Sequence, residues 1–106
     1  MGPEFDVKHS LQDGVATLSL SGRFDFSQYA AFKEEQARVL NKDSVKEIVL
    51  DFGGLDYLDS AALGILLVLL DRAKEHGQPV TIRRAKGVVR EILDVAHFER
   101  MFVIED

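Results

Sequence analysis

The sequence contains no cysteine, which excludes disulfide bonds, thiol chemistry and thiolate metal sites together. It also lacks a long apolar run. The longest, Ile65 to Leu70, is far shorter than the roughly 20 residues that cross a bilayer, and no signal-peptide pattern is present. Positive charge is scarce, with 13 Lys and Arg against 18 Asp and Glu. Because nucleic acids bind to basic surfaces, we expect no nucleic-acid partner. These absences predict a cytoplasmic protein without membrane insertion.

The remaining composition is that of one folded domain. Of the 106 residues, 46% are hydrophobic and 29% are charged, as in ordinary globular proteins. A chain of this length buries about 65% of its unfolded surface and needs no metal to fold. Met1 to Glu4 carry no structural pattern and resemble a cloning scar, so we expect the domain to cover residues 5–105.

Apolar periodicity predicts the element order β-β-α-β-α-β-α-β. Asp13-Gly14 between two alternating runs predicts an opening hairpin. We expect Ser27 to cap the first helix, Gly77 to end the second, and Gly53-Gly54 to form a loop. The later elements are predicted at residues 28–40, 46–52, 60–76, 79–83, 87–96 and 102–104. This order predicts a single α/β domain, a mixed β-sheet with an N-terminal hairpin and helices mainly on one face.

The second predicted helix has apolar side chains on two sides. A helical wheel places on the core-facing side Leu63, Leu66, Leu67, Leu70 and Ala73. It places on the opposite side Ala61, Ile65, Val68 and Arg72. Either another element of the fold covers Ile65 and Val68, or these two form, with the small residues Ala61 and Gly64, a flat contact patch for a partner.

Asp59-Ser60 stands at the start of this helix. Both residue types are favoured N-caps, so the pair has a purely structural explanation. A helix start also offers free N–H groups and the positive end of the helix dipole, which favour a bound phosphate. The position therefore suits phosphorylation without requiring it.

Three segments, in order, resemble a known family. The octapeptide Tyr57 to Gly64 (YLDSAALG) resembles the signature of STAS domains, and more narrowly that of bacterial anti-sigma factor antagonists. Ser21 to Asp25 (SGRFD) is similar to the family segment that ends the second strand. The residues from Ile92 to Phe102 are similar to the last helix and strand of the family.

The resemblance implies a partner-switching protein that is not an enzyme and holds no cofactor or metal. The unphosphorylated form would bind an anti-sigma factor that is also a serine kinase. Phosphorylation of Ser60 would release that kinase, and a metal-dependent serine phosphatase would reset the switch. Asp25 and Asp59 would be the supporting acidic residues. The partner-binding residues would be Ala61, Gly64, Ile65 and Val68. Nothing in the sequence sets the oligomeric state.

The sequence departs from the family at two places. Ala61 and Ala62 stand where many relatives carry Ser or Thr and then Gly. His97 stands near a position where relatives often have Gly, and histidine tolerates left-handed backbone better than most residues. These departures leave the partner's identity open.

Other functions have weaker support. A phosphoaspartate receiver at Asp51 would need clustered acids for a divalent cation, and the first strands end without them. A serine hydrolase would need a Gly-x-Ser-x-Gly elbow, which is absent, and the three histidines form no pattern. The main alternative is a STAS-type structural subunit of a transporter, such as a phospholipid ABC transporter, without a phosphorylation switch.

Overall fold

The strands and helices follow the predicted order. A computed structural model describes residues 4–40 and 42–105, so the first three residues of the expected cloning scar lie outside the described part of the chain. The elements are β1 (Asp6–Gln12), β2 (Val15–Phe24), α1 (Tyr29–Leu40), β3 (Glu47–Leu58), α2 (Ser60–Glu75), β4 (Val80–Arg83), α3 (Gly87–Val95) and β5 (Val103–Glu105). Short 3-10 turns at Phe26–Gln28 and Phe98–Arg100 precede α1 and β5.

The first two strands form the predicted hairpin. Gln12 pairs with Val15 across the turn, and the turn residues Asp13 and Gly14 both have positive φ, 52° and 81°. Two such residues make a type I′ turn, whose twist matches that of the flanking strands. The expected end of the second helix is confirmed in the same way, because Gly77 has a φ of 68°.

One mixed sheet holds the five strands of the described residues, in the order β1-β2-β3-β4-β5. β1 is antiparallel to β2, and the other neighbouring strands are parallel. On β2, Leu18 is buried while Ser19 is exposed. The buried side forms one core with Phe32 of α1, Leu66 of α2 and Leu93 of α3. The helices therefore pack on one face, as predicted.

β3 is longer than predicted and includes the two glycines that were expected in a loop. Its second half pairs with the end of β2 across irregularities in register. A Cβ on Gly53 would lie 2.6 Å from the guanidinium carbon of Arg84. A Cβ on Gly54 would lie 3.0 Å from the Cβ of Ser21. Both glycines thus lie in a sheet where neighbouring atoms come close, rather than in a turn.

α2 buries a wider face than the predicted stripe. Ile65 is only 7% exposed, so the expectation that it projects away from the core is wrong. Leu69, which the predicted stripe omitted, is fully buried, whereas Leu63 and Leu67 are half-buried. The physical reason is that α2 packs against α1 as well as against the sheet. Another element, α1, thus covers Ile65, whereas Val68 remains 46% exposed.

An ion pair connects β3 to the residue that follows β4. Arg84 donates two hydrogen bonds, of 2.9 and 2.7 Å, to the carboxylate of Asp51. The backbone N–H of Gly53 donates a third, of 2.9 Å. Arg84 has a φ of 63°, a left-handed conformation that few residues other than glycine adopt. The side-chain hydrogen bonds from Arg84 lower the pKa of Asp51 despite its partial burial.

Asp51→Asn should destabilise the domain at neutral pH, and the loss should shrink in acid. The folded pKa of Asp51 lies below its unfolded value of about 3.9, so its contribution is complete above that value and disappears as the pH falls through the folded pKa. Urea unfolding of both proteins at pH 7 and at about pH 3 measures this. Asp56→Asn, at an exposed position of β3, is the control. A stability difference independent of pH would contradict this account.

Candidate functional site

The ends of β2 and β3 lie side by side at one edge of the sheet. Phe24 pairs with Leu58, and the backbone N–H of Asp59 donates to the carbonyl of Phe24 at 3.2 Å. Asp25 and Asp59 each follow one of these paired strand ends directly. The structure therefore brings Asp25 and Ser60 to the same end of the sheet.

Asp59 is the N-cap of α2, and Ser60 is the first residue of that helix. The carboxylate of Asp59 accepts a hydrogen bond from the backbone N–H of Ala62 at 2.9 Å. This bond satisfies one of the N–H groups that a helix start leaves without a partner. Ser60 is exposed, and its hydroxyl makes no hydrogen bond to any residue that the structure describes. Since Asp59 does the capping, the Ser60 hydroxyl is not needed to cap α2.

A second carboxylate cap, Asp25, precedes the 3-10 turn before α1. It accepts hydrogen bonds from the backbone N–H of Ser27, at 2.9 Å, and from the Ser27 hydroxyl. The prediction that Ser27 caps the first helix is therefore wrong, because Asp25 is the cap and α1 begins at Tyr29. The hydroxyl bond from Ser27 lowers the pKa of Asp25, which is thus a fixed negative charge at neutral pH.

Phe26, directly after Asp25, is an exposed aromatic side chain that the sequence analysis missed. It is 72% exposed. Single exposed apolar residues are common, but aromatic side chains are enriched at the centres of protein interfaces. The available signal was an aromatic residue between a capping acid and a helix, out of phase with the buried positions Phe32 and Val39.

The exposed side of α2 next to Ser60 carries small and apolar residues. We call its exposed and half-buried members Ala61, Gly64 and Val68 the α2 patch. A Cβ on Gly64 would meet no atom within 4 Å. Glycine within a helix costs about 1 kcal/mol relative to alanine, and here no contact inside the described fold requires it. Ile65 lies beneath the patch as a buried support.

Comparison with known proteins identifies the family. A family model described as "Mlab, STAS domain" matches residues 7–105. The chain belongs to the STAS family. A STAS-domain containing protein of Pseudomonas aeruginosa is 35% identical over 88 residues, which are 83% of this chain and 85% of that protein.

Solved structures share the STAS fold at low identity. The anti-sigma factor antagonist SpoIIAA of Bacillus is 14% identical in its unphosphorylated form, with a TM-score of 0.74 over 97% of this chain and 88% of that one. Its phosphorylated form gives a TM-score of 0.69 at the same identity, over 95% and 90% of the two chains. The murine anion transporter Slc26a9 is 16% identical, with a TM-score of 0.74 over 90% of this chain and 16% of the transporter.

Ser60 has no hydrogen-bonded partner that would make it a catalytic nucleophile in the described part of the structure. A catalytic serine needs a base within hydrogen-bond reach, and Ser60 has none among the described residues. Nor does the described part of the chain contain a group of His, Asp and Glu side chains that could hold a metal ion.

His97 has a left-handed φ of 57° at the end of α3, a structural role that its sequence position suggested. In the part of the chain described, no helix has the length and apolar character to span a membrane.

Aspartate substitutions should distinguish the patch from its support. Ile65→Asp should unfold the domain or cost several kcal/mol, because it buries an unpaired carboxylate. Val68→Asp should stay within about 1 kcal/mol of the wild type, because that side chain is solvated. Thermal unfolding by circular dichroism checks both. Equal losses for the two variants would refute the distinction.

Proposed function

We propose that this STAS domain is an anti-sigma factor antagonist that acts by partner switching. Its unphosphorylated form binds an anti-sigma factor that is also a serine kinase. Phosphorylation of Ser60 releases the kinase, and a metal-dependent serine phosphatase restores binding. The main support is the exposed Ser60 hydroxyl, without a hydrogen bond in the described structure, at the start of α2 and beside the α2 patch.

The position of Ser60 lets a phosphate change the surface without changing the fold. Phosphorylation adds about 1.5 to 2 negative charges at neutral pH. The N-terminal end of α2 accommodates that charge through its dipole and its remaining N–H groups. SpoIIAA supports this expectation, because both of its forms match the fold of this chain, with TM-scores of 0.74 and 0.69.

A phosphate on Ser60 would weaken the binding of a partner that covers this surface. Asp25 and Asp59 already place negative charge at this end of the sheet. A partner lying over the α2 patch would bring its own groups against a bulky anion that has lost part of its hydration. Like-charge repulsion and desolvation then weaken the complex. Phe26 extends the surface that such a partner would cover.

A structural subunit or domain of a transporter is the second candidate. It is favoured by the likeness of this fold to that of Slc26a9, an anion transporter. In that role Ser60 would be only the first residue of a capped helix, and its phosphorylation would not matter. The bound partner would be a transporter component, such as an ATPase, rather than a kinase. The hydroxyl of Ser60, exposed and not used for capping, favours the antagonist.

Variants of Ser60 test the switch. Ser60→Ala should bind the kinase as tightly as the wild type, Ser60→Asp should bind more weakly, and phosphorylated protein should lose about 3 kcal/mol, roughly a hundredfold. Calorimetry with the serine kinase that copurifies from the native host measures these affinities. Ser44→Asp places the same charge at an exposed site before β3, at the other end of the sheet, and should have no effect. Equal affinities of the kinase for unmodified and phosphorylated protein would contradict the proposed switch.

Asp25→Asn should keep the fold but alter the phosphorylation rate or kinase affinity severalfold, because it removes a fixed charge near Ser60. Ser27→Ala is the matched control, since it removes the hydroxyl bond to Asp25 while keeping the carboxylate. Radiolabelled phosphate transfer and calorimetry give the two readouts. If Asp25→Asn matches the wild type in both, the carboxylate is only a helix-turn cap.

A further inference from the structure

Two exposed serines lie at the edge of the sheet that holds the candidate site. The exposed serines of the described chain are Ser10, Ser19, Ser27, Ser44 and Ser60. Ser10 and Ser19 are paired within the β1–β2 hairpin, and Ser44 lies before β3 at the other end of the sheet. Of these five, only Ser27 and Ser60 therefore stand where a kinase bound at this edge meets a hydroxyl.

Ser27 and Ser60 are connected through the paired ends of β2 and β3. The Asp59 N–H donates to the Phe24 carbonyl at 3.2 Å. Ser60 directly follows Asp59, and Ser27 is the third residue after Phe24, in the 3-10 turn Phe26–Gln28. A kinase whose active site takes in Ser60 thus lies next to the turn that carries Ser27.

The hydroxyl of Ser27 is hydrogen-bonded to a carboxylate. It donates to Asp25, and no other hydroxyl among the described residues donates to an acidic side chain. The side-chain amide of Gln28 donates to the Ser27 oxygen at 3.2 Å. The hydroxyl bond lowers the pKa of Asp25, so this carboxylate is ionised at neutral pH. A carboxylate within hydrogen-bond reach of a hydroxyl is placed to take its proton as the oxygen attacks.

We propose that Ser27 is a second phosphorylation site, used by the same serine kinase as Ser60, and this rests on the proposed function. The Ser27 oxygen attacks the terminal phosphorus of the nucleoside triphosphate that the kinase holds. The bond from that phosphorus to its bridging oxygen breaks, and the nucleoside diphosphate leaves. The hydroxyl proton passes to the Asp25 carboxylate and from there to solvent.

A phosphate on Ser27 acts on the fold differently from one on Ser60. At Ser60, the Asp59 cap of α2 keeps its hydrogen bond to Ala62. At Ser27, the phosphate takes the place of the hydroxyl that donates to Asp25 and adds about 1.5 to 2 negative charges beside that carboxylate. Like-charge repulsion then opens the Asp25 cap.

Phe26 lies in the turn that Asp25 caps. It is 72% exposed, so the capped turn rather than core packing fixes its position. Loss of the cap frees the turn and takes away a preorganised apolar contact from a bound partner. Phosphorylation of Ser27 therefore lowers the kinase affinity even when Ser60 is unmodified.

Peptide-resolved mass spectrometry tests the second site. The full chain is incubated with ATP and the serine kinase that copurifies from the native host, and is then digested with trypsin. Cleavage after Arg23 and Lys33 releases residues 24–33, in which Ser27 is the only serine or threonine. We expect phosphate on Ser27 in the wild type and also in Ser60→Ala.

The outcomes separate the second site from the proposed switch. A peptide 24–33 without phosphate, under conditions that phosphorylate Ser60, would overturn the inference. Phosphate on Ser27 but never on Ser60 would keep the second site and refute the switch. Equal phosphate on Ser44, at the other end of the sheet, would mean unselective labelling and would also overturn the inference.

Asp25→Asn tests the proposed base. The variant keeps a hydrogen-bond acceptor beside Ser27 but loses the charge that takes the proton. Labelling of Ser27 should slow about tenfold or more, and that of Ser60 severalfold at most, because general-base catalysis contributes about 10²–10⁴-fold. Asp56→Asn, at an exposed position of β3, should change neither rate. Equal slowing at both serines would contradict the role of Asp25 as the base.

Calorimetry measures the effect of the second phosphate on partner binding. Ser60→Ala phosphorylated on Ser27 should bind the kinase about tenfold more weakly than unmodified Ser60→Ala. Phe26→Ala in the same background, without phosphate, should lose a similar part of the affinity because it removes the same contact. An affinity unchanged by phosphate on Ser27 would contradict the proposed effect of this site.

Discussion

The pairing of the ends of β2 and β3 is the constraint on which the candidate site depends. The Asp59 N–H that donates to the Phe24 carbonyl joins two strand ends whose next residues are both capping acids. Each acid starts a helical segment, so Asp25 and Ser60 become neighbours on one edge although 35 positions of sequence separate them. If that pairing were shifted by one residue, the caps and the serine would no longer face the same side.

The two capping aspartates and Ser60 have different roles at this edge of the sheet. Asp59 and Asp25 satisfy backbone N–H groups and are held in place by doing so. Ser60 does not cap the helix, and this residue is exposed to solvent. In the proposed switch, phosphorylation of Ser60 adds charge at a helix start that Asp59 already caps. A partner senses that charge because the adjoining α2 patch is exposed.

Local patterns predicted the features that depend on a few neighbouring residues, including the Asp13-Gly14 hairpin and the helix start at Ser60. They failed where distant parts of the chain decide. Ile65 is buried because α1 covers it, which a helical wheel of α2 alone does not show. Gly53 and Gly54 lie in a strand because β3 continues to pair with β2 there, through Ser21–Gly54 and Gly22–Leu55. In both cases the deciding contact is tertiary, and one sequence does not reveal it.

Mass spectrometry of the protein from its native host tests the central claim most directly. Tryptic cleavage after Lys46 and Arg72 releases residues 47–72, in which Ser60 is the only serine or threonine. The account predicts that this peptide carries one phosphate, on Ser60, in a fraction that falls when the serine phosphatase is active. Phosphate confined to other residues, or none under any growth condition, would contradict the proposed switch.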